Sequence, residues 1–202
     1  MHYKVKPYEE YNHTNLYFIS DLHIGHGNVI KFDERPFKNV NEMHQVMIEN
    51  WNKKISDDDI VYFLGDLFYK VKSNFAKSFV HQLNGDIKVI LGNHDRFSKL
   101  ASFDRFSDIQ SYQRVKVKTE DINQDLILFH FPILTWDKHH KDSWHLHGHS
   151  HHNLSKTVYG RNHYYKRKVL DVGCNGHDYT PLSFGEVKDI MGGRGIDKID
   201  HH

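Results

Sequence analysis

Cysteine is almost missing from this chain, with one residue, Cys174, in 202. A lone thiol excludes an intrachain disulfide and a thiolate metal cluster, and it sets the expectation of a cytoplasmic protein. Proline is scarce as well, with four. No Pro/Gly-rich linker, internal repeat or low-complexity tract marks a boundary, so residues 1–202 read as one domain. No run approaches the roughly 18 consecutive apolar residues of a membrane span, and Met1–Pro7 lacks the apolar stretch of a secretory leader. Charge of one sign is lacking too: 27 Lys+Arg stand against 26 Asp+Glu. That balance excludes a disordered acidic tail protein and gives no whole-surface attraction to nucleic acid, while leaving room for a local basic patch.

Histidine, by contrast, is abundant, with nineteen residues. Imidazole is both the commonest neutral metal ligand and the usual acid/base group near neutral pH. His139 and His140, among charged neighbours, read as surface residues, and His201–His202 read as a terminal appendage. The others must be judged by position.

Four short apolar runs have the character of interior strands, each stopping at polar residues. Leu16–Ile19 ends at Ser20-Asp21, Ile60–Leu64 at Gly65-Asp66, Ile87–Leu91 at Gly92-Asn93-His94-Asp95, and Leu126–Phe129 at His130. Helical spacing lies between them. Asn41 is expected to cap a helix carrying Met43, Val46, Met47 and Trp51, and Asn74–Leu83 repeats the pattern before Asn84-Gly85. Ser183 with Glu186 has capping-box spacing. From about Tyr112 to Val172 the sequence is strand-rich, with Arg114–Lys118 alternating as a half-exposed strand does. The fold expected is α/β: two packed sheets flanked by helices.

Polar residues at the carboxyl ends of neighbouring strands converge in the crevice where open α/β sheets bind ligands. Asp21-x-His23 alone is a weak signal, Gly65-Asp66 is weaker, and a lone His130 fits a satisfied core histidine. Gly92-Asn93-His94-Asp95 presents three consecutive polar side chains after a glycine turn. Gly148-His149-Ser150-His151 puts two imidazoles on one side of an extended segment. Their order, each after an apolar run, is what makes the set specific.

Asp21-Leu22-His23, Gly65-Asp66, Gly92-Asn93-His94-Asp95, His130 and Gly148-His149-Ser150-His151 together resemble the five blocks of the calcineurin-like metallophosphoesterases, D-x-H, G-D, G-N-H-[DE], H and G-H-x-H. The resemblance implies a four-layer α/β/β/α sandwich of two mixed sheets and a pair of divalent ions, Mn²⁺ foremost with Fe, Zn or Ni as alternatives. It implies one ion held by Asp21, His23, Asp66 and His151, and the other by Asp66, Asn93, His130 and His149. His94 is then the acid that protonates the leaving group, with Asp95 orienting and charging it. Two ions close together clamp the attacking and leaving oxygens of an in-line phosphoryl displacement, and a nearby imidazole supplies the proton an alkoxide needs.

The block after Asp66 runs Leu67-Phe68-Tyr69, without the extension of phosphoprotein phosphatases, and Asp95 stands where those have Glu. The stretch from Ser20 to Phe37 is similar to small bacterial and phage phosphoesterases of the superfamily. The expectation is a phosphodiesterase acting on small phosphoesters or nucleotides, with His26, Arg35 and Arg96 as candidates for the phosphate pocket; Arg35-Pro36-Phe37 equally reads as a loop-shaping segment. Two alternatives stay open. One is a nuclease contacting nucleic acid through Tyr112–Lys118 and Tyr164–Lys168, and the other is a non-catalytic scaffold that binds protein partners. No membrane partner is expected.

Overall fold

The computed structural model describes residues 8–196; Met1–Pro7 and His201–His202 lie outside the described residues. Ten strands form two five-stranded sheets. The strands are β1 (Glu9–Tyr11), β2 (Leu16–Ile19), β3 (Ile60–Phe63), β4 (Asp86–Ile90), β5 (Phe106–Gln110), β6 (Tyr112–Lys118), β7 (Asn123–Phe129), β8 (Trp144–His147), β9 (Val169–Asp171) and β10 (Leu182–Ser183). One sheet runs β10-β2-β3-β4-β5, parallel except for β10; the other runs β1-β6-β7-β8-β9, antiparallel only between β6 and β7. The helices are α1 (Val29–Phe32), α2 (Val40–Lys54), α3 (Ser73–Val80), α4 (Phe97–Ala101), α5 (Asn153–Lys156), α6 (Val158–Asn162) and α7 (Phe184–Gly192).

The period-2 alternation of strands sorts the apolar side chains into layers. Leu16, Phe18, Tyr62, Leu64 and Ile90 face Val115, Val117, Leu126, Leu128 and Leu146 between the sheets. The opposite face of the first sheet turns Val61, Phe63, Ile87 and Val89 toward Met43, Met47 and Trp51 of α2 and Ala76, Phe79 and Val80 of α3. The outer face of the second sheet is covered by Trp136, Tyr164 and Leu154, packed on Ile127 and Val169. These are the layers of an α/β/β/α sandwich. No helix among the described residues is long and apolar enough to cross a membrane.

Several local expectations are corrected. The α2 cap is Asn39, not Asn41: its side chain accepts the backbone N–H of Asn41 and Glu42, because an extended cap residue must stand two or three positions before the N–H groups it satisfies. The third helix stops at Val80, short of Leu83, and begins with no side-chain cap. The capping box of Ser183 and Glu186 is present. His139 is buried, its ring against Trp136 and its Nε2 2.9 Å from the Arg167 guanidinium; only His140 is exposed. Tyr164 and Arg167 are interior as well, with Arg167 stacked over Trp136. The basic and aromatic run at 164–168 therefore builds the outer layer of the second sheet, and Gln113, Val115 and Val117 turn inward from β6.

Candidate metal centre

Strands β2, β3 and β4 of one sheet and β7 and β8 of the other end at the same edge of the sandwich. The chain leaves each strand through a tight turn, and five of the seven expected ligands sit in left-handed backbone: Asp21, His23, Asp66, His149 and His151, with φ between 46° and 65°. Such conformations are costly for residues with a Cβ and concentrate where function requires a side chain to be re-aimed. Gly65, at φ 94°, is needed for another reason: a Cβ there would lie 2.5 Å from the His130 ring and 2.6 Å from the Gly92 nitrogen.

The side chains gather as two groups about one carboxylate. Asp66 Oδ2 is 3.6 Å from His23 Nε2 and 3.6 Å from His130 Nε2. On one side His23 Nε2 and His151 Nε2 are 3.0 Å apart, with Asp21 Oδ1 3.5 Å from His151. On the other, Asn93 Oδ1 lies 3.2 Å from His130 Nε2 and 2.9 Å from His149 Nδ1. Ligands about 2.0–2.2 Å from an ion stand about 3–3.5 Å from each other, so both groups come close to the spacing of a coordination shell, with Asp21 Oδ1 and His23 Nε2 wider at 3.9 Å.

Hydrogen bonding supports the same fit. The Nδ1 of His130 faces the Leu64 carbonyl at 2.7 Å and that of His151 faces Asp33 Oδ2 at 2.6 Å. These partners place the proton on Nδ1 and leave each Nε2 a lone pair. Those lone pairs point at Asp66, Asn93 and Asp21 oxygens, which are also acceptors. Asp21 Oδ1 is buried with no hydrogen-bond donor, although its Oδ2 receives Ser20 Oγ and the His149 N–H. Acceptors facing acceptors in a buried site call for protons or cations. Burial raises the Asp21 carboxyl to about 7. Burial also lowers His23, to about 3. His130 and His151 are pushed down by burial yet held above the usual imidazole value, by Asp66 and Asp33 respectively. Asp66, raised by burial, is nonetheless held low by His130.

The remaining candidates divide. His94 stands at the mouth, its side chain 41 % exposed, with Nε2 4.0 Å from Asp66 Oδ2. Asp95 does not orient it. The buried Asp95 carboxylate accepts the backbone N–H of Asp66, Leu67 and Gly92 at 2.8, 3.3 and 3.0 Å, so it ties the turn after β3 to the turn after β4 and positions Asp66. Arg35 is likewise not in a phosphate pocket. It is 4 % exposed and donates to the Leu22 and Asp21 carbonyls and to Asp33, beneath the candidate ligands. His26 lines the cleft, stacked on Tyr69 at 3.9 Å, and Arg96 lines an adjoining cavity.

Two supporting carboxylates were not anticipated. Asp33 fixes the His151 ring and is itself drawn down to about 2: burial raises it, and hydrogen bonds from His151 and Asn175 with the charges of His151 and Arg35 together more than reverse this. No spacing regularity marks it in the sequence. Asp171 receives Ser150 Oγ and the backbone N–H of His152 and Gly173, shaping the loop of His149 and His151. Here a signal existed, since Val169-Leu170-Asp171 also ends an apolar strand in a polar residue.

No family model matches the chain. It is 38 % identical over 178 residues to the uncharacterized protein MJ1445 of Methanocaldococcus jannaschii, covering 87 % of this chain and 90 % of that one. It is 25 % identical over 203 residues to the gene 66 protein of Mycobacterium phage D29, covering 88 % and 96 %. It is also 33 % identical over 88 residues, 41 % of its length, to the gene 66 protein of Mycobacterium phage L5. In fold it is similar to the crystal structure of AQ665 from Aquifex aeolicus, a protein of unknown function, with TM-score 0.64, 21 % identity and coverage of 87 % of this chain and 98 % of that one.

Proposed function

The chain belongs to the family of the M. jannaschii protein MJ1445, and from its own residues we propose that it is a metal-dependent phosphoesterase of the calcineurin-like type that favours phosphodiesters. The observation that carries this reading is the pair of donor groups meeting at Asp66 Oδ2, with acceptor atoms facing one another. Asp21, His23, Asp66 and His151 would hold one divalent ion, and Asp66, Asn93, His130 and His149 the other. Oxygen and nitrogen donors without thiolate suit Mn²⁺, Fe, Zn²⁺ or Ni²⁺. When bound, the ions supply positive charge to the phosphoryl oxygens and acidify water.

The chain's own part is distinct. Asp33 and the Leu64 carbonyl hold the His151 and His130 rings in the tautomer that presents Nε2. Asp95 fixes the Asp66 turn. His94, at the mouth, holds a proton for the departing oxygen. One water is consumed: its oxygen joins phosphorus, the ester P–O bond breaks, and the leaving oxygen takes the His94 proton, which the water's proton restores. A histidine at the mouth and outside both donor groups supports the enzyme reading over a metal-binding scaffold.

Elemental analysis after Mn²⁺ loading is expected to give two ions per chain, and Asp66→Ala to lose both. The loaded protein is expected to hydrolyse bis(p-nitrophenyl) phosphate faster than p-nitrophenyl phosphate. Two bound ions with both esters left intact would overturn the assignment.

A further inference from the structure

Tyr69 stands where three cavities meet. The metal cavity, about 230 Å³, shares His26, Phe32 and Tyr69 with a second of about 540 Å³ that runs along Gly27 and Asn28. It shares Tyr69, Asn93 and His94 with a third of about 400 Å³, lined by Lys70, Arg96 and Lys99. The two outer cavities share Tyr69 and Lys70 and differ in the rest of their lining.

The first arm is aromatic, with Lys70 at the edge it shares with the second. Phe32 is 72 % exposed beside the site, although its helix buries Val29. His26 meets it edge-on at 6.0 Å and stacks on Tyr69 with the planes 15° apart. An exposed ring that continues a ladder of rings accepts a flat heterocycle of any sequence. The second arm is cationic. Lys70 Nζ lies 5.1 Å over the Tyr69 ring, and Arg96 is exposed. The acid in this wall, Asp95, has its carboxylate turned onto three backbone N–H groups, so the arm presents positive charge.

Resting on the phosphoesterase reading, we propose that the substrate is a nucleotide chain laid across Tyr69. Its scissile phosphodiester sits at the metals, a base packs on Phe32 and His26, and a flanking phosphate is held by Arg96 and Lys70. A cyclic nucleotide carries both ester oxygens on one sugar and fills a single arm; a strand fills both.

The test uses the full chain with Mn²⁺ and compares TpT with dithymidylates bearing a terminal phosphate at either end. One phosphorylated form is expected to exceed TpT in kcat/KM by about tenfold, the value of one charge-assisted contact. In Arg96→Ala and Lys70→Ala that ratio is expected to fall toward one. Separately, in EDTA, Phe32→Ala is expected to weaken binding of a fluorescent oligothymidylate more than binding of the matching abasic chain. Hydrolysis of bis(p-nitrophenyl) phosphate without any terminal-phosphate preference, or equal Phe32→Ala losses on both chains, would overturn the strand proposal alone. Failure to hydrolyse any diester would instead overturn the phosphoesterase reading.

Discussion

At the scale of single residues, His94 and Asp33 make opposite predictions. His94 is outside both donor groups, so His94→Asn is expected to keep two ions and to lose roughly 10²–10⁴-fold in rate on a nucleoside ester. The loss is expected to be smaller on p-nitrophenyl esters, whose anion departs without much help. Equal losses on both, with an ion missing, would show a ligand instead of an acid. Asp33→Asn is expected to do the reverse. It replaces the charged acceptor that holds His151 with a neutral amide, so metal affinity should fall by about 10–100-fold, and excess Mn²⁺ should restore the rate; a deficit that persists at saturating Mn²⁺ would argue against this role. The gathering of the seven expected ligand residues was legible in the sequence because each follows a strand and carries a donor atom. The supports were not. Asp33, Asp95 and Arg35 act through backbone and ring atoms brought from elsewhere in the chain, and no spacing records which carbonyl or N–H a side chain meets.

At the scale of elements, legibility follows hydrophobic pattern. The runs β2, β3 and the end of β7 are aliphatic or aromatic throughout, and β4 departs from this at Asp86 and Lys88 alone, because they are covered on both faces. Strands β1 and β5 are edges of their sheets, and Glu9-Glu10-Tyr11 and Phe106-Ser107-Asp108-Ile109-Gln110 carry too much polarity to be recognised as strands. Helix starts are read less well than helix faces. Met43, Met47 and Trp51 identify the buried stripe of α2, but Asn39 and Asn41 both have cap chemistry, and only backbone conformation separates them. Asn39→Ala, which strands two N–H groups, is expected to cost about 1 kcal/mol, read as a lowered urea midpoint. Asn41→Ala should change it little; a larger loss at Asn41 would restore the sequence-based cap.

At the scale of the whole molecule, the two sheets must stay in register for strand ends from both to meet at Asp66, and one polar cluster between them bears on this. Glu9 Oε2 of β1, in the second sheet, receives Tyr62 Oη of β3 at 2.5 Å and Lys88 Nζ of β4 at 2.7 Å, both in the first sheet, and also Tyr11 Oη at 2.6 Å. Burial pushes the Glu9 carboxyl up, but the Lys88, Tyr11 and Tyr62 hydrogen bonds outweigh it and bring it from 4.5 down to about 2. A carboxylate depressed by folding contributes stability that is present above its unfolded value, near 4.5, and is lost as pH falls toward about 2. Glu9→Gln keeps the size and removes the charge, leaving Lys88 partly buried without its anion. At pH 7 it is expected to cost about 2 kcal/mol, below the range for fully buried pairs because the cluster is partly open to water. The difference from the parent protein should shrink as pH is lowered through 4.5 toward 2, where the parent's own Glu9 becomes neutral. Urea midpoints of the two proteins across that window check the sign. A difference that holds constant or widens on acidification would remove Glu9 as the charged tie between the sheets.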